Sequence, residues 1–188
     1  MKPQPASTVV LVRQAINDIE VLLLLRSRQL VFNSGEWVFP GGRIDVADYP
    51  DSACEQEYQA ALNAAVRETQ EEAGIRIEPA GLRHIAHWTT PAGYPRRFST
   101  WFFLGLLEEQ VNIEVDQQEI VDFCWRTPRS ALHASQSGEI KLPEPTLETL
   151  RSIAQFRDIQ TLHSAIAQRP VHVFPEHSPD YPKHCIRR

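Results

Sequence analysis

Two hydrophobic rhythms divide the chain. Residues 8–13 form an apolar, β-branched run that predicts a buried strand. Residues 20–26 predict a second strand, with Asn17-Asp18 as the hairpin turn between them. Residues 37–39 read as a short strand ended by Pro40, and Gly41-Gly42 as a turn whose backbone can approach a ligand closely. After a polar loop at 45–51, Ser52 and Glu55 have the S-x-x-E form of a capping box, which opens a helix over 53–73. Tyr58, Ala61, Leu62, Ala65, Thr69 and Ala73 recur at three- and four-residue steps, giving that helix one buried stripe. Gly74 suits the left-handed position just past its end.

Beyond the helix, strands are expected at 75–77, 82–90, 98–107 and 120–126, with a short one at 111–115 inside an acidic loop. Pro128 at a first-turn position opens a helix to about residue 135, and further helices follow at 145–156 and 159–168. From residue 169 the Pro- and His-bearing tail reads as extended, lying on the surface or on a partner. The order of elements predicts an α/β (α+β) fold, a mixed sheet with helices on both faces.

Composition narrows the possibilities. With 188 residues, 42% hydrophobic and 23% charged, the chain reads as one domain with a substantial core. A formal charge of −5 and no basic stripe argue against a nucleic-acid partner. Three cysteines without CxxC spacing argue against a disulfide framework or a zinc site and for a reducing, cytoplasmic setting. The longest apolar run is far short of a bilayer span, and no targeting signal is evident. GxGxxG and P-loop patterns are absent, which disfavours both modes of phosphate binding.

The chemistry concentrates in Arg67-Glu68-Thr69-Gln70-Glu71-Glu72. On a helix, Glu68, Glu71 and Glu72 stand at i, i+3 and i+4, so three carboxylates project from neighbouring positions and repel one another. A solvated acidic face is one reading. The other is a site for a hard divalent cation, Mg²⁺ or Mn²⁺, bound by carboxylate oxygens and shared with substrate phosphates. The Gly C-cap before an expected strand and the upstream Pro-Gly-Gly favour the second. Thr69, on the buried stripe, can return its hydroxyl to the carbonyl of Ala65.

These residues resemble the Nudix box, G-x5-E-x7-R-E-U-x-E-E-x-G-U, where U is a bulky aliphatic residue. Gly42 matches its first Gly, and Arg67, Glu68, Glu71, Glu72, Gly74 and Ile75 match its second half. Two departures stand out. Gly42 and Arg67 are 67 − 42 = 25 positions apart, against fourteen in the motif, and Thr69 replaces an aliphatic residue. Counting back from Arg67 puts the motif's first Glu at Gln59, with Glu55 and Glu57 as alternatives. Residues 21–42, Trp88-Thr89-Thr90-Pro91, residues 95–103, Trp125-Arg126-Thr127-Pro128 and residues 142–147 are similar to the branch that includes peroxisomal coenzyme A diphosphatases, whose members also have a lengthened Gly-to-Arg spacer.

The resemblance implies an α/β/α sandwich with a mixed sheet and extra C-terminal helices at about 143–170, and a site for Mg²⁺ or Mn²⁺ that hydrolyses diphosphates linked to a nucleoside. It implies Glu68 and Glu72 as direct metal ligands, Glu71 as a third or water-bridged ligand, and a carbonyl of Gly41 or Gly42 completing the shell. Arg67 would orient a carboxylate or form an ordinary helix salt bridge. Glu68 and Glu119 are both candidates for the general base. Arg96, Arg97 and Arg43 are candidates for receiving phosphates. Trp88, Tyr94, Trp101 and Phe103 are either a base-stacking surface or aromatic core. Coenzyme A or an acyl-coenzyme A is the expected substrate. ADP-ribose, a dinucleotide or a nucleoside triphosphate is the alternative, followed by a non-catalytic nucleotide-binding module. Homodimerisation is common in the family.

Overall fold

A computed structural model describes residues 2–30, 33–50, 56–107 and 110–182. Strand β1 (Gln4–Gln14) runs through the middle of a mixed eight-stranded sheet and organises the other elements. It pairs antiparallel with β2 (Ile19–Arg26) and parallel with β6 (Phe98–Leu107), the latter from Gln4↔Phe98 to Arg13↔Leu107. The order continues from β2 to β3 (Trp37–Val38) on one side, and from β6 to β5 (Arg83–Thr89) and β8 (His172–Phe174) on the other. Off this path, β4 (Gly41–Arg43) pairs with β1 and β7 (Ile120–Arg126) pairs with β2.

Because β1 is buried on both sides, its alternate residues serve two cores. Val10 and Val12 join Ile19, Val21, Leu23 and Phe102 beneath α2 (Pro128–Gln136), α3 (Glu144–Ile153) and α4 (Ile159–Gln168). Val9 and Leu11 join Leu22, Leu24, Trp101 and Phe103 beneath the long helix α1 (Glu57–Ala73). Helices therefore cover both faces, the α/β arrangement with a mixed sheet and added C-terminal helices that the residue pattern predicts. Alanines 60, 61, 64 and 65 are all fully buried, and the Ser7 hydroxyl donates to the Ala61 carbonyl at 2.7 Å. Small side chains let α1 lie close on the sheet, which fixes the height of everything it carries.

Several expectations need correction. Gly41-Gly42 is not a turn. It lies in β4, paired as Ser7↔Gly42 and Thr8↔Gly41, so the ligand-facing backbone is held by a strand. Residues 4–7 extend β1 beyond the apolar run because β6 and β4 both pair with them, and Pro5, lacking an N–H, accepts from Ile44 through its carbonyl at 3.0 Å. Residues 75–77 and 111–115 are not strands. Their apolar side chains pack on the α1-side core, and Glu114 N–H caps the helix by donating to Ala73 O at 3.0 Å. The tail is ordered at β8, where Phe174 stacks on Trp88 with centroids 4.0 Å apart. The capping box at Ser52–Glu55 falls outside the described residues. Among the described residues no helix is long and apolar enough to cross a membrane.

Candidate active site

The C-terminal half of α1 delivers the carboxylates, and Gly74 closes it in the left-handed conformation (φ 70°). Thr69 bonds the Ala65 carbonyl at 2.7 Å, so the residue that departs from the aliphatic motif position is satisfied inside its own helix. The three glutamates have different surroundings. Glu72 is buried, its side chain 5% exposed, and its Oε2 accepts the Gly41 N–H at 2.9 Å. Glu68 is half-buried and abuts Gly42, while Glu71 is 58% exposed.

Burial pushes the Glu72 carboxyl up to about 8, with the charges of Glu68 and Glu119 acting in the same direction. Glu68 is also raised, first by desolvation, against the pull of Arg67. A carboxyl held this way is short of positive charge, and the only atoms offered around it are hard oxygens. Among the described residues no three acidic, His or Cys side chains already converge in ligand geometry. Glu68 and Glu72 beside the β4 backbone nonetheless fit a divalent cation, whose arrival would displace the Glu72 proton.

Arg67 is the hub. Its Nε and Nη2 clamp Asp48 at 3.0 and 2.9 Å, its Nη1 bonds Glu68 at 2.9 Å and Glu71 at 3.0 Å, and its Nη2 also donates to the Arg43 carbonyl at 3.0 Å. These anions hold the guanidinium far above its ordinary value, the Asp48 hydrogen bonds contributing most. Asp48 itself is buried in a short 3-10 turn (Val46–Asp48), where its carboxylate also accepts the Asp45 N–H at 2.7 Å. Residue-pattern reasoning missed Asp48. The signal was present: counting forward from Gly42 by G-x5-E lands on residue 48, an Asp, and the insertion follows it. Of the residues considered by counting back, Gln59 is paired with Asn63 and Glu57 accepts from the Trp101 indole at 3.0 Å; Glu55 lies outside the described residues. Replacing Asp48 with Ala is expected to cut turnover about 10- to 100-fold by freeing Arg67, with recovery in Asp48→Glu. Equal activity of Asp48→Ala and wild type would refute this positioning role.

Arg26 was also overlooked. From β2 it lies 3.7 Å from Glu72 and 3.6 Å from Glu119, joining the helix carboxylates to the start of β7. Arg97 is engaged elsewhere, with Asp180 at 3.0 Å and the Thr90 carbonyl at 2.9 Å; Arg96 and Arg43 are exposed. Trp101 and Phe103 are fully buried, as the core reading expects, and Tyr94 is exposed. A Cβ on Gly42 would run into the Glu68 carboxylate. Gly42→Ala is therefore expected to lower activity about 10- to 100-fold by moving that carboxylate, with little change in melting temperature. A large melting shift without activity loss would reverse that assignment.

The model of the family described as NUDIX domain matches residues 2–143. The chain belongs to the Nudix family. It is thus a hydrolase of diphosphate bonds, in a family that generally relies on divalent metal ions and takes small nucleotide-diphosphate substrates. A Nudix hydrolase of Alicyclobacillus acidocaldarius superposes with a TM-score of 0.77 at 25% identity, over 90% of this chain and 99% of that one. The acyl-coenzyme A diphosphatase NUDT19 of Homo sapiens is 37% identical over 84 residues, 44% of this chain and 22% of that protein. Its Xenopus laevis counterpart is 24% identical over 81% of this chain and 64% of its own length. The chain thus spans less than two thirds of either curated relative.

Proposed function

We propose that this Nudix hydrolase cleaves the diphosphate of coenzyme A or an acyl-coenzyme A, releasing a phosphopantetheine arm and an adenosine bisphosphate. The observation that carries the site is the buried Glu72 beside Glu68, tied to β4 by the Gly41 N–H. The similarity to acyl-coenzyme A diphosphatases and the long spacer between Gly42 and Arg67 support the substrate. In this reading Glu68 and Glu72 hold Mg²⁺ or Mn²⁺, with Glu71 and a carbonyl of Gly41 or Gly42 completing the shell. The ion, when bound, neutralises charge on the phosphates and lowers the pKa of water. Arg67 keeps Glu68 oriented through its clamp on Asp48. Glu119, exposed and linked to Glu72 through Arg26, is our candidate to take the proton from the attacking water, with Glu68 as the alternative base. Arg43 and Arg96 are exposed cations available to phosphates; Arg97 would have to leave Asp180 to join them.

We place the protein in the cytoplasm, as one Nudix domain capable of pairing with a second copy. A second substrate reading is favoured by the 24% identity to the m7GpppN-mRNA hydrolase NUDT17 of Xenopus laevis, over 85% of this chain. It would make the substrate another nucleoside diphosphate, such as ADP-ribose or a dinucleotide. The deciding experiment incubates wild type and Glu72→Gln with coenzyme A, ADP-ribose and a dinucleotide, each with Mg²⁺ or Mn²⁺. Wild-type cleavage of coenzyme A supports the first reading. Inert coenzyme A with ADP-ribose turnover selects the second, and no turnover at all removes both.

A further inference from the structure

We propose that β7 carries a subsite of its own, an apolar shelf of Phe123 and Val121 that receives the apolar or aromatic arm attached to the substrate's diphosphate. It rests on the diphosphatase reading above, and its location follows from strand register. Directly paired residues of antiparallel strands share a face of the sheet. Leu24 opposes Phe123 and Leu22 opposes Trp125, and both leucines belong to the core beneath α1. Arg26, two positions on from Leu24, approaches Glu72 of α1. Phe123 therefore lies on the carboxylate side of the sheet.

Its exposure is out of character with its neighbours. Phe123 is 37% and Val121 39% exposed, whereas Ile120 and the opposing Leu24 are fully buried. Val121 falls where the β2–β7 register slips between Leu25 and Arg26, an extra residue of the kind that re-aims side chains beside sites. Among the described residues β7 pairs with β2 and no other strand, so this is a sheet edge, where charged residues are the usual protection. Two exposed apolar side chains here instead continue directly from Glu119 and Arg26. At ~3.3 Å per residue, Val121 and Phe123 stand about 7 and 13 Å along the strand from Glu119. A diphosphate over Arg26 would lay its attached arm across them. The aromatics first considered for stacking cannot do this, since Trp101 and Phe103 are fully buried and Trp88 is stacked on Phe174.

The test uses fragments that the enzyme cannot consume. Wild type, Phe123→Ala and Phe123→Tyr are titrated with AMP, 4′-phosphopantetheine and inorganic phosphate in the presence of Mg²⁺, by calorimetry. Ile16→Ala, altered at a residue 97% exposed in the β1–β2 turn, serves as the control. We expect Phe123→Ala to weaken one of the two arm-bearing fragments about tenfold. Phe123→Tyr should restore that binding, and inorganic phosphate should bind all four proteins alike. Loss of AMP binding identifies a nucleobase on the shelf, and loss of 4′-phosphopantetheine an aliphatic arm. Where coenzyme A is turned over, KM should rise with kcat nearly unchanged. Unaltered affinity of Phe123→Ala for both fragments overturns the proposal, as does failure of either fragment to bind wild type. Absence of wild-type turnover counts against the diphosphatase reading alone, because fragment binding is measured without cleavage.

Discussion

Changing Glu72 to Gln is expected to lower turnover by about 10³-fold or more while leaving the fold intact. The two halves of that expectation have one cause. Glu72 is buried among Glu68, Glu119 and Arg26, and desolvation raises its carboxyl to about 8 in the metal-free protein. At neutral pH the metal-free side chain is therefore mostly protonated, and Gln is close to it in shape and charge. The amide oxygen can still accept the Gly41 N–H that Glu72 Oε2 now accepts at 2.9 Å. Once a divalent cation is present the comparison inverts, because a neutral amide supplies a weaker ligand and no compensating charge. Steady-state turnover, together with urea unfolding in EDTA, checks both halves. Near-wild-type turnover would remove Glu72 from the metal site. A fall in metal-free stability of several kcal/mol would mean that the carboxylate supports the fold, contrary to its raised pKa.

The sequence revealed different parts of the structure according to how local their causes are. The β1, β2, β6 and β7 strands could be read because each is an apolar or alternating run whose burial is written in its own residues. The α4 helix was found at 159–168 because Asp158 caps it, accepting the Thr161 N–H at 2.8 Å. The α2 helix was found because Thr127 and Pro128 form a recognisable start. Gly41–Arg43 gave the opposite signal, since glycines carry no strand propensity and β4 exists only because β1 offers it a partner. Asp48 and Arg26 were missed for a related reason. Each is an ordinary polar residue locally, and its role comes from a partner on another element: Arg67, nineteen positions on, for Asp48, and Glu72 across the sheet for Arg26. Repulsion within Arg67–Glu72 marked the cluster in the sequence. The different burial of Glu68, Glu71 and Glu72 depends on how close α1 lies to β4, which no helical spacing encodes.

Acid is expected to weaken the fold through a second group of residues, the histidines of β5. His87 is fully buried, its Nε2 sharing a hydrogen bond with Ser99 Oγ at 2.8 Å and its Nδ1 having no partner. Trp101 and Tyr181 each lie 4.8 Å away, ring to ring, and the Ser99 hydroxyl is shared with the Asp180 carbonyl at 3.3 Å. Desolvation lowers His87 to about 3, with His84 adding to the effect, and lowers His84 to about 4. Both folded values lie below the unfolded value of ~6.5, so the unfolded chain binds more protons in that interval. Stability from these groups is complete above pH ~6.5 and is lost as pH falls towards 4 and 3. The slope approaches about 1.4 kcal/mol per pH unit for each histidine. Glu68 and Glu72, raised rather than lowered, act in the opposite direction, so the informative quantity is the difference between wild type and a variant. His87→Gln should destabilise at pH 8, where it disturbs the Ser99 contact, yet lose less stability than wild type between pH 6.5 and 4.5. Urea unfolding across that range, in EDTA, measures the two slopes. Parallel slopes would mean that His87 is already protonated in the fold, and the buried, unpartnered Nδ1 would then need another explanation.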